Sequence, residues 1–215
     1  MSDRFKAETE EDLRRLRKML RKVTSGDEEA VRGRLAEKDE ARILDLACGE
    51  CREAEVLTDF LAELKEPDEK RMVKLTGIDV RAREIADASS RFGGKKSLKG
   101  KPGSQECDFF TGDASKLDGH EELGDDFDLV FMRHQNYWNG AKTWEEIYDQ
   151  ALNKLDDDGR LIITSYFDKE HQLALEAIQR LGGELIRSEF NQETRELQTE
   201  GKSVDRHVAM FRRKK

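Results

Sequence analysis

The chain has 215 residues, a formal net charge of -8, 36% hydrophobic residues and 40% charged residues. Periodic apolar runs persist in this polar background, which excludes a disordered chain and fits one large domain with appendages. No run approaches the roughly 18 apolar residues of a membrane span, MSDRFKAETEED has no apolar core for a signal peptide, and three cysteines build no disulfide framework, so a cytoplasmic protein without a membrane partner is expected.

In chain order, Leu13, Leu16, Leu20 and Val23 recur at helical spacing and predict a helix over 8–24, with a second over 27–38. ARILDLA, 41–47, reads as a buried strand, and 53–65 returns to helical period. VKLTGIDV, 73–80, reads as a strand. RAREIADASSRF, 81–92, reads as a helix ended by Gly93 and Gly94. The basic stretch 93–103 reads as a mobile loop. CDFFTGDA, 107–114, and FDLVFMR, 127–133, read as strands. Thr143 and Glu146 form a capping box opening a helix over 144–155, and LDDDGR reads as a turn into the strand RLIITSYF, 160–167. Asp168 is expected to cap the next helix, and strands near 184–191 and 203–212 close the chain as an antiparallel pair. The strand–helix alternation predicts a doubly wound parallel sheet with helices on both faces.

In such sheets ligands bind beyond the carboxyl ends of the strands. Those ends offer Asp45 and the turn Ala47-Cys48-Gly49-Glu50-Cys51, then Asp79, then Asp113, then Arg133-His134-Gln135-Asn136-Tyr137-Trp138, then Ser165 and Tyr166. The Cys48–Cys51 pair has the spacing of a dithiol centre, but a thioredoxin-like fold would not supply Asp79, Asp113 and five parallel strands in this order. Zinc needs about four ligands, and Cys107 and the four scattered histidines give no second pair at metal spacing, so no metal is expected. A nicotinamide dehydrogenase would carry a full GxGxxG fingerprint, which is missing here.

Taken together, ILDLACGECREAEVL, GIDV, TGDASKL, FDLVFMRHQNYW and LDDDGRLIITSYF resemble, in order and spacing, the successive motifs of the class I S-adenosylmethionine-dependent methyltransferases. The resemblance covers roughly 41–212. It implies a Rossmann-like, seven-stranded, mostly parallel sheet with an antiparallel last strand. A helical cap over 1–40 would precede a methyltransferase-like domain over 41–215. It implies S-adenosylmethionine as cofactor, held by Asp45, Ala47, Cys48 and Gly49 of the first motif, Asp79 and Val80 of the second, Asp113 and Ala114 of the third, and Met132 and Arg133 of the fourth. Asp79 would take the ribose hydroxyls and Asp113 the adenine amino group. Ala47 and Cys51 depart from the family by standing where glycines are usual.

On the acceptor side, His134 suits a general base, Asn136 an orienting hydrogen-bond partner, and Tyr137 and Trp138 an aromatic wall. Each equally suits packing or loop anchoring. Tyr166 and His171 flank the fifth strand end. The expected reaction is methyl transfer to a small-molecule acceptor. The alternatives are an RNA or protein acceptor gripped by a basic rim of Arg14, Arg15, Arg17, Lys18 and Arg21, or a protein that binds the cofactor without catalysis. The more ordinary reading of the same basic segments is a solvated helix face, a mobile loop and a solubilising tail.

Overall fold

In a computed structural model, residues 3–27, 31, 33–66, 68–120 and 123–214 are described. Helix α1 (Asp3–Thr24) and the short α2 (Leu35–Glu37) precede β1 (Glu40–Leu46), α3 (Ala54–Ala62), β2 (Arg71–Asp79) and α4 (Ala82–Phe92). Then come β3 (Gly94–Ser97), β4 (Gly103–Thr111) and a 3-10 segment (Ala114–Gly119). β5 (Phe127–Arg133) leads to a 3-10 turn (Tyr137–Asn139) and α5 (Ala141–Asn153). β6 (Leu155–Ser165), α6 (Asp168–Arg180), β7 (Gly183–Phe190), the paired β8 (Arg195–Glu196) and β9 (Ser203–Val204), and β10 (His207–Arg213) complete the chain.

Eight strands form one sheet in the order β3-β4-β2-β1-β5-β6-β10-β7. The five central strands are parallel, while β3 and β10 run against their neighbours. The fold class is the expected one, with one strand more. The basic stretch expected to be a mobile loop supplies β3, whose four residues are all exposed. Lysines on such an edge discourage further strand pairing.

Alternation along the strands fills both faces. Ile43, Leu75, Leu129 and Phe131 join α1, α3 and α4 in one core. Leu44, Ile78, Val130, Met132 and Ile163 join α5 and α6 in the other. Both faces of the central strands are therefore buried, as covered parallel sheets require.

Three local expectations are corrected. Helix α5 begins at Ala141, two residues before Thr143, with Gly140 as its N-cap and no side-chain cap, because the 3-10 turn leads directly into it. LDDDG is already part of β6, pairing Leu155 with Phe127 across a bulge. Asp168 lies inside the first turn of α6 rather than capping it, and its carboxylate bonds Arg206 and His207 instead. Part of the helix expected over 27–38 lies outside the described residues.

Helix α1 lies on the sheet face beside α3, not over the strand ends. Its Leu16, Leu20 and Val23 are fully buried. Arg17 pairs with Asp59, Arg21 with Glu63, Lys18 with Glu193, Arg15 with Asp12 and Arg14 with Glu11. The expected basic rim is thus a set of ion pairs that fasten α1 to α3, to the loop after β7 and to itself. Among the described residues, no helix is long and apolar enough to cross a membrane.

Candidate active site

Strand β1 is followed in sequence by β2 on one side and pairs with β5 on the other, so the winding reverses at β1 and a crevice opens beyond its carboxyl end. Two cavities fill it. One, of about 550 Å³, is lined by the 47–53 loop, Asp79, Arg81, Arg133, His134, Trp144 and Tyr166. The other, of about 330 Å³, is lined by Asp113, Ala114, Asn136, Gly140, Trp144 and Ile147. Both are also lined by Ala47, Asp79 and Val80, so Asp79 stands at their junction. Their sizes are those of small-ligand pockets, about 300–1,000 Å³.

The first motif makes the floor. Ala47, Gly49 and Cys51 all adopt left-handed backbone, with φ of 55°, 56° and 42°. These are the three positions where a glycine-rich turn is usual. The two replacements keep the glycine conformation at a cost of about 1–2 kcal/mol each. A Cβ on Gly49 would come within 2.9 Å of Arg81 Nη2 and Glu84 Oε2. Cys51 is fully buried and its thiol donates to Asp45 Oδ2 at 3.1 Å. Burial, reinforced by Glu53, raises the Asp45 carboxyl well above its usual range, and Asp45 Oδ1 has no partner. Cys48 lines the cavity. Both cysteines are free thiols, and burial raises the Cys51 thiol well above its usual value. The bond from Cys51 lowers Cys48, but burial and the nearby acids outweigh it. Neither is the low-pKa thiolate of dithiol exchange. Among the described residues, no group of three or more His, Cys, Asp or Glu is placed to hold a metal.

The side chain of Asp79 is nearly buried. Its Oδ2 accepts from Gly49 N at 2.9 Å, and its Oδ1 accepts from Arg81 N and Nε, each at 2.9 Å. Burial alone would raise this carboxyl; the Arg81 and Gly49 bonds hold it below its usual value. Asp113 accepts from Ser115 N and Oγ at 3.0 and 2.8 Å, and those bonds lower it.

At the end of β5, Arg133 is nearly enclosed. It reaches Asp205 with two bonds of 3.0 and 2.6 Å and Glu53 at 3.4 Å. Burial works against the arginine's charge, and the two acids more than restore it. The same arginine, with His134, holds the buried Asp205 well below the carboxylate range. The His134 ring lies 3.8 Å from that of Tyr166, nearly parallel. Burial lowers His134 despite Asp205 beside it.

Of the residues expected at the site, Ala47, Cys48, Gly49, Asp79, Val80, Asp113, Ala114, Arg133, His134 and Asn136 line the crevice. Asp45 lies buried beneath it. Met132 is in the α5–α6 core. Tyr137 points away: its hydroxyl donates to Glu145 at 2.7 Å and its ring stacks on Tyr148. Trp138 sets its ring edge to Phe167, outside both cavities. His171 is buried between Ser165 and Ser188. Glu53, Arg81, Trp144 and Asp205 also belong to the site and are not among the residues expected from the sequence. Arg81 follows the second-motif acid and Glu53 opens α3, so both positions were open to inspection. Asp205 carries no signal, because the β10–β6 pairing alone brings it to β5.

A family profile described as a methyltransferase domain matches residues 37–210. No curated protein matches the chain. Among solved structures, a TehB-like SAM-dependent methyltransferase from Corynebacterium glutamicum is similar over 97% of this chain and 99% of its own, at 18% identity and a TM-score of 0.52. The N-methyltransferase NodS from Bradyrhizobium japonicum is similar over 89% and 98%, at 18% identity and 0.53. The magnesium protoporphyrin IX methyltransferase of Synechocystis, solved with bound SAM, is similar over 88% and 81%, at 14% identity and 0.52. At these identities the likeness speaks to the fold.

Proposed function

The chain belongs to the methyltransferase-domain family and is an S-adenosylmethionine-dependent methyltransferase, and we propose that its methyl acceptor is a small molecule entering the cavity beside His134. The observation that carries this reading is the pair of cavities joined at Asp79, with the 47–51 loop held in glycine-type backbone beneath them.

The residues fit the cofactor. The loop around Gly49 would hold its amino-acid end, where the unpartnered Asp45 Oδ1 suits an ammonium group. Asp79 would take the ribose, and Val80, Asp113, Ala114 and Ile147 the adenine. When bound, the sulfonium supplies an already activated methyl group, so the protein mainly aligns the acceptor and excludes water. Trp144, Tyr166 and His134 enclose the acceptor side. Asn136, bonded to Asn139 at 3.0 Å, lies on the adenine side instead.

The basic stretch of α1 is engaged in ion pairs and lines neither cavity, which favours a small acceptor over RNA or protein. Calorimetric titration with S-adenosylhomocysteine, with NADH as control, tests the cofactor assignment. Micromolar binding, about -8 kcal/mol, that Asp79→Ala abolishes is expected. Binding of NADH instead would end the reading. Methylation of total RNA or of a protein extract, with a metabolite extract left unlabelled by radioactive donor, would replace the small-molecule acceptor.

A further inference from the structure

We propose that Glu53 is the residue that tells the charged donor from its neutral product: its carboxylate pairs with the sulfonium of S-adenosylmethionine. The proposal rests on the methyltransferase reading and deepens it at the same cavity.

Four acids line the larger cavity: Glu50, Glu53, Asp79 and Glu84. Three arginines line it with them, and each is committed away from Glu53. Arg52 Nε donates to Glu50 at 2.8 Å. Arg81 donates to Asp79 at 2.9 Å and to Glu84 at 2.7 Å. Arg133 gives its two shorter bonds, 3.0 and 2.6 Å, to Asp205, a buried acid that lines neither cavity. Glu53 Oε2 receives only the long 3.4 Å contact from Arg133 Nη1, and Oε1 has no partner among the described residues.

This carboxylate is not a solvated surface group, because Glu53 is only 5% exposed. It stands at the N-cap of α3, yet its side chain makes no cap bond to that helix. Neither of the usual reasons for an acid at a helix start, solvation or capping, therefore accounts for it. His134 adds no compensating charge. Burial lowers it, and its Nε2 accepts from Asp205 N at 3.1 Å, which a protonated ring could not do. The enclosed group of Glu53, Arg133, His134 and Asp205 thus carries one net negative charge. An enclosed charge without a full partner is costly, and a cation that joins it removes the cost.

The cofactor brings two cationic centres, an ammonium and a sulfonium. The ammonium suits the unpartnered Asp45 Oδ1 in the floor. In the cofactor's covalent order the sulfur lies between the ribose and the amino-acid end, on the side the acceptor approaches. Glu53 joins the floor to the wall of Arg133 and His134, and it is the acid there that lacks a cation of its own. An ion pair so enclosed is screened far less than one on the surface. S-adenosylhomocysteine has a neutral sulfide in the same place and gains nothing from the carboxylate. One residue would thus favour both entry of the donor and release of the product.

Calorimetric titration of the wild type and of Glu53→Gln with S-adenosylmethionine and S-adenosylhomocysteine tests this. Glu53→Gln should weaken binding of the donor about tenfold or more and leave the affinity for the product unchanged. An equal loss for both ligands would move the carboxylate to the ammonium they share and overturn the proposal, as would no loss for either. The wild type decides even where Glu53→Gln does not fold. Sinefungin, which carries an amine where the donor carries its sulfonium, should bind it more tightly than S-adenosylhomocysteine, and equal or weaker binding overturns the proposal. Binding of all three ligands without these preferences removes the Glu53 assignment and leaves the cofactor in place. Binding of none removes the cofactor assignment as well.

Discussion

Cys51 Sγ donates a hydrogen bond of 3.1 Å to Asp45 Oδ2, a fully buried carboxyl whose other oxygen has no partner. A side chain in a glycine position has become the only hydrogen-bond donor to that acid among the described residues. Restoring glycine should therefore act oppositely at the two replaced positions. Ala47→Gly relieves left-handed strain and should stabilise the fold by about 0.5–1 kcal/mol. Cys51→Gly relieves similar strain but strips Asp45 of its donor, at about 1–3 kcal/mol, and should destabilise on balance. Urea unfolding of both variants checks the signs; two stabilised proteins would show that the thiol bond contributes nothing.

Arg81 occupies the carboxylate that the ribose is proposed to use. The arginine side chain is 56% exposed and its pairing is correspondingly cheap to break, about 0–1 kcal/mol. Arg81→Ala should leave the Gly49 bond to Asp79 intact and tighten S-adenosylhomocysteine binding by up to about fivefold. Calorimetry on the variant settles it, and weaker binding would make Arg81 a ligand contact instead.

Trp144 lines both cavities and Trp138 neither. These are the chain's two tryptophans. Adding S-adenosylhomocysteine should change the intrinsic fluorescence of the wild type and of Trp138→Phe, and leave Trp144→Phe unchanged. A response that follows Trp138 would relocate the ligand toward Phe167.

His171 sets an acid limit on stability. Burial, with His207 stacked 4.5 Å away, pushes it down to about 3. The unfolded chain titrates this group near 6.5, so between these values the unfolded state binds the additional proton. The contribution is complete above about pH 6.5 and is lost as pH falls toward 3, by up to about 1.4 kcal/mol per pH unit. Asp168, held low by Arg206 and His207, gives up its share only below about pH 4. Denaturant midpoints from neutral to about pH 4.5 should fall more steeply for the wild type than for His171→Gln. Parallel curves would exclude His171 as the cause.

The parts of this molecule legible in the sequence are those fixed by local pattern. β5 is legible to its end residues because FDLVFMR buries both faces. Asp45, Asp79 and Asp113 stood out because each ends or follows an apolar run. What escaped depends on partners distant in sequence. GKKS has no buried face and becomes β3 only through backbone pairing with β4. The packing of α1 beside α3 depends on the apolar surface of α3 that covers Leu16, Leu20 and Val23, with Asp59 and Glu63 as surface partners, and a helical repeat does not reveal which element supplies that surface. Tyr137 looks like an acceptor-side residue until Glu145, on the next helix, takes its hydroxyl.

The central position of β1 has a consequence for how the chain comes into being. Asp45 pairs with Gly77 on one side but with Phe131 on the other. During synthesis β1, β2 and β4 can meet early, while the opposite flank of β1 stays a bare, apolar edge until β5 has been made. That edge is a hazard for association between nascent chains. The wall carrying Arg133 and His134 arrives with β5, and Asp205 only with the turn between β9 and β10. The long closure that joins them should be slow, and the Arg133–Asp205–His134 cluster should be the last part of the site to acquire its geometry.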